Sequence, residues 1–358
     1  MTLSKVDLAN QVENQLPQSL VADNVNFRNI IINGDMSIAQ RGTSVSSITT
    51  SSYNTLDRFK LTIGSAGTWT QSQSTDVPSG QGFAKSLKMD CTTANASLSA
   101  GAYFFLEQQI EGQNLQYLKK GTANAESLTL SFWVKSNKTG TYIAELRDTD
   151  NDRAISKSYT ISSASTWEKK TITYDGDTSG AFTNDNNTSL RLEFHLGAGS
   201  SYQSGTLQTS WGARTQADEV VGQVNLADST SNEWYITGVQ LEVGTTASDF
   251  EFLSYDVNLQ RCLRYFEARN SSFSTQRCIW TGDITSGNTY HHQTAFGVTK
   301  RVEPTASISV ASDAGFDSTT IGLQNTYSGK NMVSISCTAN VTQARGYFDY
   351  EVSFDAEL

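Results

Sequence analysis

The sequence predicts an all-β protein of two domains, and three observations carry that prediction. Short runs alternate apolar and polar side chains with period two, as in Leu128, Leu130, Phe132 and Val134 against Thr129, Ser131, Trp133 and Lys135. Clusters of Gly, Ser, Thr and Asn punctuate these runs, the pattern of strands joined by turns. Only 37% of the 358 residues are hydrophobic, yet 6 Trp, 14 Tyr and 16 Phe fall largely inside the alternating runs. The low apolar fraction therefore reflects long polar loops and not a chain unable to fold.

Residues 1–26 read as an attachment arm. Leu3, Val6, Leu8, Val12, Leu16 and Leu20 are spaced for neither a helix nor a strand, and Pro17 limits any helix. Such leucines need a foreign surface to bury them; a frayed terminus is the competing reading. Residues 27–253 form the first domain, with strands expected over 28–32, 58–63, 68–74, 83–90, 102–110, 128–136, 141–147, 155–161, 168–174, 189–196 and 233–243. Their alternation gives sheets with one buried and one wetter face, hence a sandwich or a barrel. A short helix is expected over 114–120, and 197–228 is a long polar stretch carrying Tyr202 and Trp211. Loops of that length inside a compact domain are usually functional or disordered.

The stretch 234–266 organises the chain. It begins as a strand, breaks at Gly244, and from Tyr255 changes period. Val257, Leu259, Cys262, Leu263, Tyr265 and Phe266 then suit a helix of about three turns. Ser254 or Asp256 is placed to cap it. Residues 254–269 are thus a linker helix, and 270–358 a smaller C-terminal β-sandwich with strands over 276–281, 289–299, 305–311, 316–322, 332–339 and 346–356.

The net charge of −10 argues against non-specific nucleic-acid binding, because phosphates repel an acidic chain. No run of 18 apolar residues offers a membrane span, and the first residues lack a hydrophobic signal core. Cys91, Cys262, Cys278 and Cys337 are widely spaced with no CxxC, which predicts free thiols and folding in a reducing cytoplasm.

Several motifs together resemble the fibre-type proteins of tailed bacteriophages. GVQLEVGTTASDFEFLSYDVNLQRCLRYFE (238–267) is similar to that family's signature; NIIINGDMSIAQRG (29–42) and YNTLDRF (53–59) resemble its opening. QQIEGQNL (108–115), LTLSFWVKS (128–136) and TWEKKTI (166–172) resemble its middle, and FDAEL (354–358) its ending. The resemblance spans nearly the whole chain in the family's order. It implies a jelly roll like a carbohydrate-binding module, a place in the virion after synthesis in the host bacterial cytoplasm, a homotrimer, and attachment to other virion proteins through the arm. The function it implies is a tail fibre binding host surface glycan through weak, multivalent contacts. A capsid decoration or head-fibre protein is the structural alternative, and a polysaccharide depolymerase the enzymatic one.

Candidate site residues follow from residue type. Aromatic faces stack on sugars; Tyr202 and Trp211 in the polar stretch, and Trp280 and Tyr290 in the second domain, are the ligand-binding candidates, while Trp133, Trp167 and Trp234 in motif strands read as core. Asp148, Asp150 and Asp152 alternate like the start of a calcium loop, but lack the Gly and distal Glu of an EF-hand. A solvated hairpin turn is the competing reading, so no cofactor is expected, with structural calcium as the open alternative. His291 and His292 are adjacent on a strand and point to opposite faces; His195 stands alone, so no zinc site is expected. There is no GxSxG, HExxH or Walker loop. A glycosidase needs two carboxylates about 5–10 Å apart, to be sought among Asp57, Glu107, Glu111, Glu145 and Glu193. Asp57 and Glu111 read as buried hydrogen bonders, and the chain is expected not to be an enzyme. Leu263 and Phe266 are the candidate contacts between protomers.

Overall fold

The computed structural model describes residues 27–269, 278–324 and 328–358, so the arm at 1–26 lies outside the described residues. The first domain is an antiparallel jelly-roll sandwich. One sheet runs in the order β1 (Ser44–Ile48), β4 (Thr68–Ser74), β5 (Ser86–Thr93), β13 (Glu233–Val243), β7 (Leu128–Ser136), β10 (Glu168–Tyr174). The other runs β12 (Gly212–Ala213), β9 (Arg153–Ile161), β8 (Gly140–Asp148), β11 (Thr188–Ala198), β6 (Tyr103–Glu111), β3 (Lys60–Gly64), β2 (Ser52–Tyr53). The chain passes repeatedly between the sheets, and the last long strand, β13, inserts between β5 and β7. Alternation does the sorting: Leu130, Phe132 and Val134 of β7 face Phe194 of β11 and Phe104 of β6 in one continuous core. Phe132 meets Phe194 edge-on at 5.1 Å, and Trp69 stacks on Phe104 at 4.2 Å. Each such buried aromatic contributes roughly 2–3 kcal/mol.

Most expected strands are present, but 28–32 is not one. Its backbone groups are taken by side chains: Asn29 Oδ1 accepts the Ile31 and Leu241 N–H groups, and Asn33 Oδ1 accepts that of Ile38. Asn33 and Met36 sit at positive φ, which bends the chain away from a ladder. The helix expected over 114–120 is two 3₁₀ turns, Gly112–Asn114 and Gln116–Leu118. The short polar strands β1, β2 and β12 carry too little alternation to be legible.

The linker helix is shorter than expected. α1 spans Tyr255–Leu263, with Ser254 at the N-cap position but making no side-chain cap bond. Phe266–Arg269 is instead a strand, β14, which pairs with β20 (Gln343–Asp355). The apolar residues after Leu263 continue the helical period, yet the strand ladder captures their backbone. β20 carries β14 and β15 (Cys278–Ile284) on one edge and β17 (Thr305–Ala314) on the other. Facing it is a sheet of β16 (Thr289–Ala295), β19 (Met332–Ala339) and β18 (Phe316–Leu323). Phe316, Ile335, Phe348, Tyr350 and Phe354 fill the space between them. All four cysteines are buried and unpaired.

Candidate functional site

β7 presents Trp133 on the outer face of the six-stranded sheet, because Phe132 and Val134 on either side of it point into the core. Its cross-strand neighbours are Lys169 of β10 and Thr237 of β13. After Thr237 the β13–β7 ladder slips by one residue at Gly238. Gly238 has φ +63, and a Cβ there would lie 2.6 Å from the Phe83 ring, so only glycine lets that ring settle onto the sheet. Residues 248–252 return across the same face. Gln240 holds them: its Nε2 donates to Ser248 Oγ (3.1 Å) and the Asp249 carbonyl (3.2 Å), and its Oε1 accepts the Glu251 N–H (2.8 Å). Glu242 accepts both the Ser248 N–H (2.9 Å) and its hydroxyl (2.6 Å). This places Phe250 and Phe252 against Phe83, with centroids 4.8–5.1 Å apart.

The result is a cleft of about 370 Å³ walled by Trp133, Phe83, Phe250 and Phe252, with Lys169, Asp249, Ser131 and Gln81 as polar groups. Phe252 is 53% exposed and Trp133 half-buried. Among the described residues the Trp133 indole N–H has no hydrogen-bond partner. Aromatic walls with a few convergent polar groups, in a few hundred Å³, are the make-up of a small-ligand site. A second, larger groove of about 820 Å³ lies at the other end of β13, where Phe27 leads to residues 1–26. Its apolar surface comes from Ile30, Ile32, Ile110, Val243 and the rings of Phe27 and Tyr117, and its charged groups include Arg28, Arg261 and Glu242.

No family model and no curated protein matches the chain. Among solved structures, the enzymatically active domain of bacteriophage CBA120 tailspike protein 4 is similar at 17% identity over 61% of this chain, with a TM-score of 0.33. The chain spans only 22% of that protein's length. A putative sugar-binding protein from Bacteroides thetaiotaomicron gives 13% identity over 60% of this chain and 100% of its own, TM-score 0.33. A family 61 carbohydrate-binding module in complex with β-1,4-galactotriose gives 11% over 61% and 99%, TM-score 0.29.

The structure distributes the sequence candidates differently. Trp234 is core, fully buried, but Trp133 and Trp167 are not: both lie on the outer face, Trp167 donating to Asp76 Oδ1 at 2.9 Å. The alternation that pairs Trp133 with Thr129 and Ser131 is the signal that locates it, and it outweighs the general tendency of tryptophan to be buried. Tyr202 lies on the other sheet, edge-on to Tyr103 at 6.2 Å. Trp211 packs on the main core and donates to the Asp175 carbonyl at 2.7 Å. Trp280 stacks parallel to Phe348 at 5.8 Å and Tyr290 lies 4.9 Å from Trp280, so these two rings cover the second core. The four aromatics do not converge.

Asp148, Asp150 and Asp152 do not converge either. Asp148 is fully buried, caps the turn through the Asp150 and Asn151 N–H groups, and takes Lys120 Nζ at 2.6 Å. That ammonium also lies 3.0 Å from Asp177, so an internal cation stands where calcium was to be sought. Asp150 accepts the Thr183 N–H, and Asp152 is largely exposed. Asp57 and Glu111 are buried hydrogen bonders as expected: Asp57 Oδ1 accepts the Gln40 N–H at 3.0 Å, and Glu111 takes a bidentate Arg264 at 2.7 Å. Glu107, Glu145 and Glu193 do meet, in one row across the seven-stranded sheet, but each is at most 2% exposed, so no polysaccharide reaches them. Leu263 is partly buried, while Phe266 lies inside its own chain with the Arg41 guanidinium 3.5 Å above its ring.

Proposed function

We propose that this chain is a non-enzymatic phage virion protein of the fibre type that holds a host surface glycan in the Trp133 cleft. The observation that carries the reading is the cleft itself: a half-buried indole with an unpartnered N–H, flanked by Phe252 and edged by Lys169 and Asp249. A sugar ring lays its C–H face on such walls and its hydroxyls on the polar edge. The site is small and open, so its single-copy affinity is weak. A homotrimer with copies held together supplies avidity. Residues 1–26 serve as the anchor to another virion protein, because their scattered leucines need an apolar partner, and the groove beside Phe27 carries apolar side chains too. With Phe266 covered by Arg41, protomer contacts fall to the partly buried Leu263 and to exposed apolar side chains such as Tyr255.

Binding of the full-length protein to host-cell surface polysaccharide, measured by biolayer interferometry, tests the reading. Trp133→Ala and Phe252→Ala should each lower binding at least about tenfold, as truncation of a central contact does. Both side chains lie outside the core, so the folded state persists and far-UV dichroism stays unchanged. Wild-type binding by both variants would overturn the site. Native mass spectrometry at micromolar concentration should show trimers; a single monomer peak would remove the avidity argument.

A further inference from the structure

On the seven-stranded sheet the outward side chains of three strands meet in register. Glu107 of β6 stands opposite Glu193 of β11, and Glu193 opposite Glu145 of β8. Two residues along β11, on the same face, is His195. Residues 199–225 close over this face. Gln223 Oε1 accepts the Ile143 N–H at 2.7 Å, the Ser156 N–H donates to the Gln208 carbonyl at 2.8 Å, and Val220 and Leu207 pack on Ile143. Glu145, Glu193 and His195 are left 1%, 2% and 3% exposed.

Buried polar atoms are normally satisfied, yet in this row four are buried without a hydrogen bond: His195 Nε2, Glu145 Oε1, Glu193 Oε1 and, beside Arg191, Glu107 Oε2. The other oxygens are accounted for unevenly. Glu145 Oε2 takes the Ser156 hydroxyl at 2.7 Å, whereas Glu193 Oε2 lies 3.5 Å from His195 Nε2. Three guanidinium groups flank the cluster without hydrogen-bonding these atoms: Arg191 lies 3.6 Å from Glu107 and 3.9 Å from Glu193, Arg214 pairs with Glu219, and Arg147 lies 3.7 Å from Asp152. One ligand atom from each of Glu145, Glu193 and His195 lies within 4.8 Å of the other two.

We propose that Glu145, Glu193 and His195 form a binding site for a divalent transition-metal ion, with zinc the best match. One imidazole and two carboxylates suit zinc, with a water in the fourth tetrahedral position; bonds of about 2.0–2.2 Å require the three side chains to close by about 1 Å. The forms that ligate are a neutral imidazole and ionised carboxylates, so metal binding releases any protons the three side chains carry. A divalent ion between them offsets the charge of two carboxylates buried side by side.

The test uses the untagged full-length chain, purified without chelator, with metal measured by inductively coupled plasma mass spectrometry. Zinc alone is then titrated into the EDTA-treated protein against a chromophoric chelator. One zinc per chain, and a higher melting temperature on adding zinc, are expected. His195→Gln should weaken zinc binding at least about 100-fold, more than loss of an outer partner costs; His291→Ala, on the surface of the other domain, should change nothing. EDTA-treated wild-type protein that takes up no zinc at micromolar concentration and melts unchanged would overturn the proposal, without reliance on any variant. So would His195→Gln binding zinc as tightly as wild type.

Discussion

Asp57 shows how one buried carboxylate ties stability to pH. It is fully buried at the start of the polar knot formed by Gln40, whose amide bonds Asp57 and the backbone of Phe266 and Ala268. Burial outweighs Arg41 and the Gln40 bonds and raises its carboxyl to about 6 from an ordinary 3.8. A raised pKa means the folded state binds the proton more tightly than the unfolded chain. The associated stability is present in full below about pH 4 and is lost as pH rises through about 6. A rise of that size corresponds to roughly 2–3 kcal/mol. Asp57→Asn should therefore remove about that much of the pH 4 to 7 decline in unfolding free energy, read from urea midpoints at several pH values; an identical slope in the variant would refute it. That Asp57 is structural was legible from its place beside Arg58 in the YNTLDRF motif, at the entrance to a strand. Its bond to Gln40, 17 positions away, was not, because long-range partners leave no spacing signal. Trp133 was legible in the opposite sense: alternation put it outward, while residue type pointed inward, and the backbone pattern prevailed.

The signature GVQLE…SDFE acts as one device, a bulged strand followed by a strap. Gly238 makes room for Phe83; Gln240 and Glu242, on the outer face of β13, fasten Ser248 to Glu251; and Glu251 in turn accepts the N–H groups of Phe27 and Asn29 at 2.7 and 3.0 Å. A motif that reads as mixed polar and apolar residues is thus a set of hydrogen bonds that shapes the cleft. Gly238→Ala adds a Cβ at positive φ against the Phe83 ring. It should cost roughly 2 kcal/mol by backbone strain and overpacking, and lower the proposed glycan binding through displaced aromatics. Unchanged chemical denaturation together with unchanged binding would refute this role. The helix was half legible for a related reason. Periodicity correctly opened α1 at Tyr255, but Tyr265 and Phe266 kept the helical spacing while the backbone from Phe266 joined β20. Side-chain period cannot register a ladder whose other strand lies far along the chain; pairing of Phe266 with Asp355 decides it. Cys262, fully buried on α1, should cost about 1 kcal/mol when replaced by Ala, with no redox dependence in the melting temperature.

The two domains are joined by a polar latch at the tail of β20, and this sets how the molecule unfolds. Glu357, its side chain 4% exposed, pairs with Arg58, itself 1% exposed; Arg58 also lies 3.6 Å over the Tyr265 ring and donates to the Gln109 carbonyl. Arg41 reaches both Asp355 and Glu357 at 3.4 Å. Arg301 donates to the carbonyls of Ala356 and Glu357 at 2.8 and 2.6 Å, and Glu111 binds Arg264 and Tyr265 from the first domain. The FDAEL ending is therefore the piece that holds the C-terminal sandwich to the jelly roll. Net stabilisation from a buried pair is small, but removing one member leaves the other charged, buried and alone. Glu357→Gln keeps the shape and strands Arg58, so it should cost roughly 3–5 kcal/mol. Because the latch couples the domains, calorimetry should show one transition in the wild type and two in the variant, the C-terminal domain melting first. Salt separates this from a surface effect. Screening over about 3 Å at 1 M weakens exposed pairs and spares buried ones, so the wild-type transition should stay single at high salt. A single transition in Glu357→Gln at the wild-type temperature would show that the sandwiches are coupled by packing alone.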